Sequence, residues 1–195
     1  LLAVVPELHT SGDDFTQNLR GWQRAVVQCR AAFGTIPPLW VATWVSPSAA
    51  CADAEPVWFT TVSQRSGIQV YQPGQGNVSL AEWARETGSD GRLSRLSQSL
   101  WLDSLLAWQN CAVNDLLLAR EGELPVLKPC VQGMCMVPVS GIAGNLWQQH
   151  ITSVTALPPD AVVTTEPLPL PELLLPALPR RRGVSRRMVF WRYAG

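Results

Sequence analysis

Leu1–Val45 reads LLAVVPELHTSGDDFTQNLRGWQRAVVQCRAAFGTIPPLWVATWV, and this stretch decides the fold. Leu1–Val5 is short, apolar and β-branched at its end, the composition of a buried strand. Thr10-Ser11-Gly12-Asp13-Asp14 then supplies a cap and first-turn acids for a helix, whose free N–H groups and dipole favour oxygen and negative charge. Phe15, Leu19, Trp22, Val26, Cys29 and Phe33 alternate spacings of four and three, which places them on one helical face. Gly34 stands where a left-handed residue ends a helix, and Pro37-Pro38 forbid its continuation. Leu39–Val45 is apolar almost throughout, as expected of a strand covered on both faces. Strand, helix and strand in this order predict a βαβ unit with a parallel pair. The fold class is therefore α/β: a two- or three-layer sheet with a parallel βαβ core plus β-hairpins.

Working outward, Val57–Ser63 and Ile68–Gln72 are strand-like runs around Gln64-Arg65-Ser66-Gly67, a hairpin pattern. Pro73–Asn77 reads as a turn-rich connection. Ser79-Leu80-Ala81-Glu82 matches a capping box and opens a short helix. The longest helix is predicted from about Gly91 to Ala119. Its buried stripe is expected at Leu93, Leu96, Leu100, Trp101, Leu105, Trp108, Ala112 and Leu116, with Arg95, Ser99, Asp103, Asn110 and Asn114 opposite. Val126–Val131 and Met134–Val139 flank Gln132-Gly133, which suggests a second hairpin or two short strands. Asn145–Ser153 is predicted as the last helix. Residues 1–157 are expected to form one compact body, 158–179 a Pro-rich linker leaving it, and 180–195 a separate basic segment.

With 47% hydrophobic residues and nine tryptophans the chain is not disordered as a whole. Its zero net charge is a cancellation. Residues 1–179 carry nine basic and fifteen acidic side chains, a net −6, whereas residues 180–195 carry six arginines and no acid. An acidic body with a basic end argues against nucleic-acid binding and for a local electrostatic task at the end. Five cysteines at irregular spacing make a poor disulfide framework and agree better with a reducing compartment. No apolar run reaches the roughly 20 residues of a membrane span. Leu1–Leu8 lacks the basic region and cleavage site of a signal peptide. An opening Leu suggests a piece of a longer chain.

The end of the chain changes character abruptly. Seven prolines between Pro158 and Pro179 exclude a regular helix or an inner strand. Arg180, Arg181, Arg182, Arg186, Arg187 and Arg192 then follow, interleaved with Met188, Val189, Phe190, Trp191 and Tyr193. Arginine beside tryptophan and tyrosine is what a chain carries where it meets a bilayer from the cytoplasmic side. Arg180, Arg181, Arg182, Arg186, Arg187, Trp191, Arg192 and Tyr193 are accordingly read as membrane-proximal, with anionic lipid headgroups as their partners.

Elsewhere the sequence offers little chemistry. Ser140-Gly141-Ile142-Ala143-Gly144-Asn145 joins a strand-like run to a helix and could present N–H groups to a phosphate. A phosphate-binding loop, however, needs a Gly-Lys pair followed by a hydroxyl, and the chain has none. Cys130 and Cys135, with His9 and His150 as the only histidines, lack the paired spacing of a zinc site. A serine or cysteine nucleophile would need one of those histidines, or a lysine, as base, and no GxSxG elbow accompanies either. Asp13-Asp14 are explained by helix capping. No catalytic, cofactor-binding or metal-binding residue is expected.

Asn18–Ser46 (NLRGWQRAVVQCRAAFGTIPPLWVATWVS), a helix bearing arginines that runs through proline into an apolar strand, resembles the cytoplasmic region of IcmF/TssM-like inner-membrane proteins of type VI secretion systems. Pro179–Gly195 is similar in kind to the basic stretch that precedes a transmembrane helix in that family. The chain resembles equally the cytoplasmic domain of the OmpA-terminated proteins of such clusters. The resemblance implies a scaffold or docking role on the cytoplasmic face of an inner membrane, with other secretion-complex proteins as partners. The family's nucleotide-binding motif has no counterpart here, so hydrolysis is not implied. A degenerate GTPase-like domain and an unrelated enzyme domain are the alternative expectations.

Overall fold

The computed structural model describes residues 1–51, 55–63, 66–72, 76–85, 91–120, 122, 124–159, 164–172 and 175. Its strands are β1 (Leu2–Val4), β2 (Leu39–Val45), β3 (Trp58–Val62), β4 (Gln69–Gln72), β5 (Gly76–Ser79) and β6 (Pro129–Met136). They form one six-stranded sheet in the order β1-β2-β6-β3-β4-β5. β1, β2 and β6 run parallel, while β3, β4 and β5 continue the sheet antiparallel. The helices are α1 (Gly12–Phe33), α2 (Leu80–Arg85), α3 (Arg92–Gln109), α4 (Asp115–Leu118) and α5 (Leu146–Thr155). The fold is α/β, as the opening stretch predicts.

The βαβ unit forms for the reasons legible in its residues. Ser11 Oγ accepts the Asp14 N–H at 3.2 Å and caps α1, and Gly34 ends it at φ 71°. Phe15 and Leu19 are buried against the sheet, with Trp22 and Val26 packed beside them. Between them Gln23 is fully buried. Its amide oxygen accepts Arg20 Nη1 at 3.0 Å, and its Nε2 donates to the Pro125 carbonyl at 3.2 Å, so burial leaves neither end unpaired.

Along β2 the side chains alternate. Leu39, Val41 and Val45 meet Phe15, Leu105, Trp108, Trp147 and Ile151 in the larger core beneath the helices. Ala42 and Trp44 turn to the opposite face and join Trp58, Tyr71, Cys135, Val137 and Val139. Among the described residues no helix contributes to that second cluster; Leu168 packs on it instead. The Trp44 Nε1–H donates to the Pro169 carbonyl at 3.0 Å, and Ser140 is hydrogen-bonded through its hydroxyl to both backbone groups of Thr164. Contact with the sheet thus continues past Leu157, where the compact body was expected to end. Over 164–172 the Pro-rich stretch is a strap on the sheet, not a tail leaving it. A chain short of N–H donors suits this place, since it covers apolar side chains without needing a ladder of its own.

Three elements differ from expectation. Pro129–Met136 is one central strand, where the sequence suggests a hairpin or two short strands around Gln132-Gly133. Gly133 does not take the positive φ of such a turn, and pairs with Ala42 on one side and Thr60 on the other. Gly76–Ser79, expected within a turn and a cap, pairs with β4 as the edge strand β5. The capping box at its end is present: Ser79 Oγ accepts the Glu82 N–H at 3.2 Å, and Glu82 Oε2 accepts the Ser79 N–H at 3.0 Å.

The third difference is the stripe of α3. Leu105 and Trp108 are buried as expected, but Leu93, Leu96 and Leu100 are 79%, 58% and 65% exposed. The buried positions of the first turns are Gln98 and Leu102. Apolar residues occur on two faces of this helix, and the polar Gln98 disguises the face that enters the core. After Gln109 the helix passes through one π turn, Asn110–Asn114, before α4 resumes. The extra residue keeps Val113 and Leu117 on the sheet.

Candidate functional site

In a sheet with parallel strands, ligand sites lie beyond the strands' C-terminal ends. Here β1, β2 and β6 end at Val4, Val45 and Met136, and the segments after them converge on Glu7. The 3-10 turn Pro6–Leu8, begun by a proline with no N–H to satisfy, swings Glu7 under the strand ends, where it is 4% exposed. Its Oε1 accepts the Ser46 N–H at 3.1 Å and its Oε2 the Ser46 hydroxyl at 3.2 Å. Ser46 Oγ in turn accepts the Val139 N–H at 3.0 Å and lies 3.4 Å from the Val139 carbonyl. One carboxyl therefore ties β2 to the segment after β6.

The loop after Val139 closes over this group. The Ile142 N–H donates to the Glu7 carbonyl at 2.9 Å, and Leu146 N–H to the His9 carbonyl at 2.8 Å. A Cβ at Gly141 would stand 2.9 Å from Glu7 Cβ and 3.1 Å from Glu7 O, so only glycine fits there. Asn145, 3% exposed, caps α5 through the Gln148 N–H at 2.8 Å and donates to the Ile142 carbonyl at 2.8 Å. The glycine loop considered for a phosphate is folded back onto the backbone of Glu7.

Burial pushes the Glu7 carboxyl up from its ordinary 4.5 to about 7, against the pull of the Ser46 N–H and hydroxyl towards the charged form. Both forms are accommodated. Ionised, Glu7 accepts from Ser46 twice; neutral, its Oε2–H donates to Ser46 Oγ, whose own proton turns to the Val139 carbonyl. A carboxyl titrating near neutrality has the pKa of a general acid or base. Both its oxygens, however, are spent on Ser46, and it reaches almost no surface. Its chemistry is that of a proton-sensitive latch between strand ends.

The other singled-out residues are scattered. His9 meets Phe15 edge-on at 5.2 Å between ring centroids, and His150 Nε2 lies 3.0 Å from the Ser104 carbonyl while its ring stacks on Trp147. Neither ring is hydrogen-bonded to a serine or cysteine side chain among the described residues. Cys130 is half-buried at the irregular start of β6, where the register with β2 shifts, and Cys135 is fully buried further along the strand. Burial pushes the Cys135 thiol up to about 12, which leaves it inert as a ligand or nucleophile. Among the described residues no three His, Cys, Asp or Glu side chains gather as metal ligands, and no helix is long and apolar enough to cross a membrane. A cleft of about 150 Å³ beside the π turn is lined by Thr61, Ser63, Asn114, Lys128 and Gln132 among others. Arg180, Arg181, Arg182, Arg186, Arg187, Trp191, Arg192 and Tyr193 lie outside the described residues.

Sequence reasoning missed Glu7, because a lone glutamate after proline reads as a surface turn residue. The one available hint was its place directly after an apolar strand. No protein-family model, no curated protein and no solved structure gives a significant match to this chain.

Proposed function

We propose that this chain is a non-enzymatic docking module on the cytoplasmic face of a bacterial inner membrane, a scaffold component of a type VI-like secretion apparatus. The observation that carries the reading is the segregation of charge: a body of net −6 followed by six arginines among aromatic residues. Each Lys or Arg near an anionic leaflet contributes about 1 kcal/mol, decaying over a Debye length of about 8 Å at physiological salt. The resemblance of Asn18–Ser46 to the IcmF/TssM-like cytoplasmic region supplies the secretion context. The glycine-containing turn after β6 packs at Gly141 on the Cβ and backbone carbonyl of Glu7 and spends its Ile142 N–H on that carbonyl, so this N–H is not offered to a phosphate.

The test is flotation with vesicles of phosphatidylserine and phosphatidylcholine. The full chain should float at low salt and be released as salt rises. A chain ending at Pro179 should stay folded and remain at the bottom, and so should the full chain with Arg180, Arg181, Arg182, Arg186 and Arg187 all replaced by Gln. Equal flotation of all three would defeat the membrane reading. A GTP- or ATP-dependent rise in melting temperature would instead favour the nucleotide-binding alternative.

A further inference from the structure

The exposed face of α3 carries an unusual combination. At about 100° per residue, Leu93, Leu96 and Leu100 fall within about 60° of one another, opposite the buried Gln98, Leu102 and Leu105. Exposed Arg92 and Asp103 both lie on the Leu96 side of this ridge, within about 40° of it. Neither carries an ion pair with another described residue. Scattered surface leucines need no explanation, but three on successive turns of one helix, 58–79% exposed, form a continuous apolar strip.

We infer that this ridge is a self-complementary interface at which two copies of the chain pair through antiparallel α3 helices. The argument is one of symmetry. A two-fold axis perpendicular to the helix and lying in the interface reverses the chain direction and keeps each flank on its own side. It therefore sets Arg92 of one copy opposite Asp103 of the other, twice. The midpoint of Arg92 and Asp103 falls between residues 97 and 98, and that of Leu96 and Leu100 at residue 98. One axis thus serves both the charge pairs and the leucine contact. A parallel pair would place each charge on the opposite flank from its complement. Three turns of helix make a small interface, at or below the roughly 1,200 Å² of weak specific complexes, so the dimer is a weak one. The inference uses α3 alone and stands or falls independently of the membrane reading.

Sedimentation velocity of the full chain from about 5 to about 500 µM tests it. The wild type should pass from monomer towards dimer. Arg92→Glu and Asp103→Arg should each weaken association at least about tenfold, since each turns two attractions into two repulsions. Mixed one to one, these two variants restore attraction at both contacts, and a heterodimer should form about as tightly as the wild-type dimer. Leu96→Asn with Leu100→Asn should remain monomeric, with an unchanged circular dichroism spectrum because all these side chains are exposed. A wild type monomeric throughout, or a mixture no tighter than its components, overturns the inference. So does loss of vesicle binding by the leucine variant when both it and the wild type are monomers, which would give the ridge to lipid.

Discussion

Glu7 shows how much one side chain decides at the strand ends. Its folded carboxyl titrates at about 7 against 4.5 when unfolded, so between those values the folded state binds the extra proton. Stability therefore falls as pH rises from about 4.5 through about 7, and levels off above. The full difference is on the order of 3 kcal/mol, an upper figure given how strongly local relaxation compensates buried charge. Glu7→Gln should flatten urea midpoints across this window. It should leave the protein unchanged near pH 5 and stabilise it at pH 8 by about 1–2 kcal/mol. A variant as pH-dependent as the wild type would remove Glu7 as the origin. Nothing in Pro6-Glu7-Leu8 announces this role, since burial of a carboxyl is settled by Ser46 and Gly141, dozens of residues away. The caps of α1, by contrast, are local chemistry and were legible directly.

At the scale of the element, α3 separates hydrophobicity from burial. Leu105 is fully buried, so Leu105→Ala leaves a cavity and should cost about 2–5 kcal/mol. Leu100→Ala, on the exposed ridge, should stay within about 0.5 kcal/mol at micromolar concentration, where any dimer is dissociated. Chemical denaturation of the two variants tells them apart, and equal costs would mean that the helix is rotated from the placement described. Periodicity could not choose, because the helix is apolar on two faces and buries glutamines. Gln109 Nε2 donates to Gln132 Oε1 at 2.7 Å, which lets a polar side chain occupy the sheet-facing row. The same limit hid β6: a Gln-Gly pair between apolar runs has the composition of a turn, and only neighbours on both sides make it a strand centre.

Across the whole molecule, the sheet is covered by helices on one face and by the 164–172 strap on the other. A chain ending at Pro159 should uncover Trp44, Trp58 and Tyr71, bind 1-anilinonaphthalene-8-sulfonate, and lose about 2–4 kcal/mol through the Leu168 contact and the Trp44–Pro169 hydrogen bond. A chain ending at Pro179 keeps the strap and should melt with the full chain. Similar melting of both truncations would show that the strap contributes no stability. Proline content alone suggested a departing linker; that the segment instead lies on an apolar face depended on a second cluster that no local pattern reveals.

The position of β6 has a temporal consequence. β2 and β3 are successive strands, yet they are not paired with each other, because β6, the last strand among the described residues, is inserted between them. During synthesis residues 1–128 emerge before the strand Pro129–Met136 that joins the edges of β2 and β3. Until that strand arrives, both edges are open templates for pairing with other chains. The central contacts are also long-range, which slows two-state folding. Ribosome-bound nascent chains should consequently resist force or protease only once β6 has cleared the exit tunnel, in one late step instead of gradually.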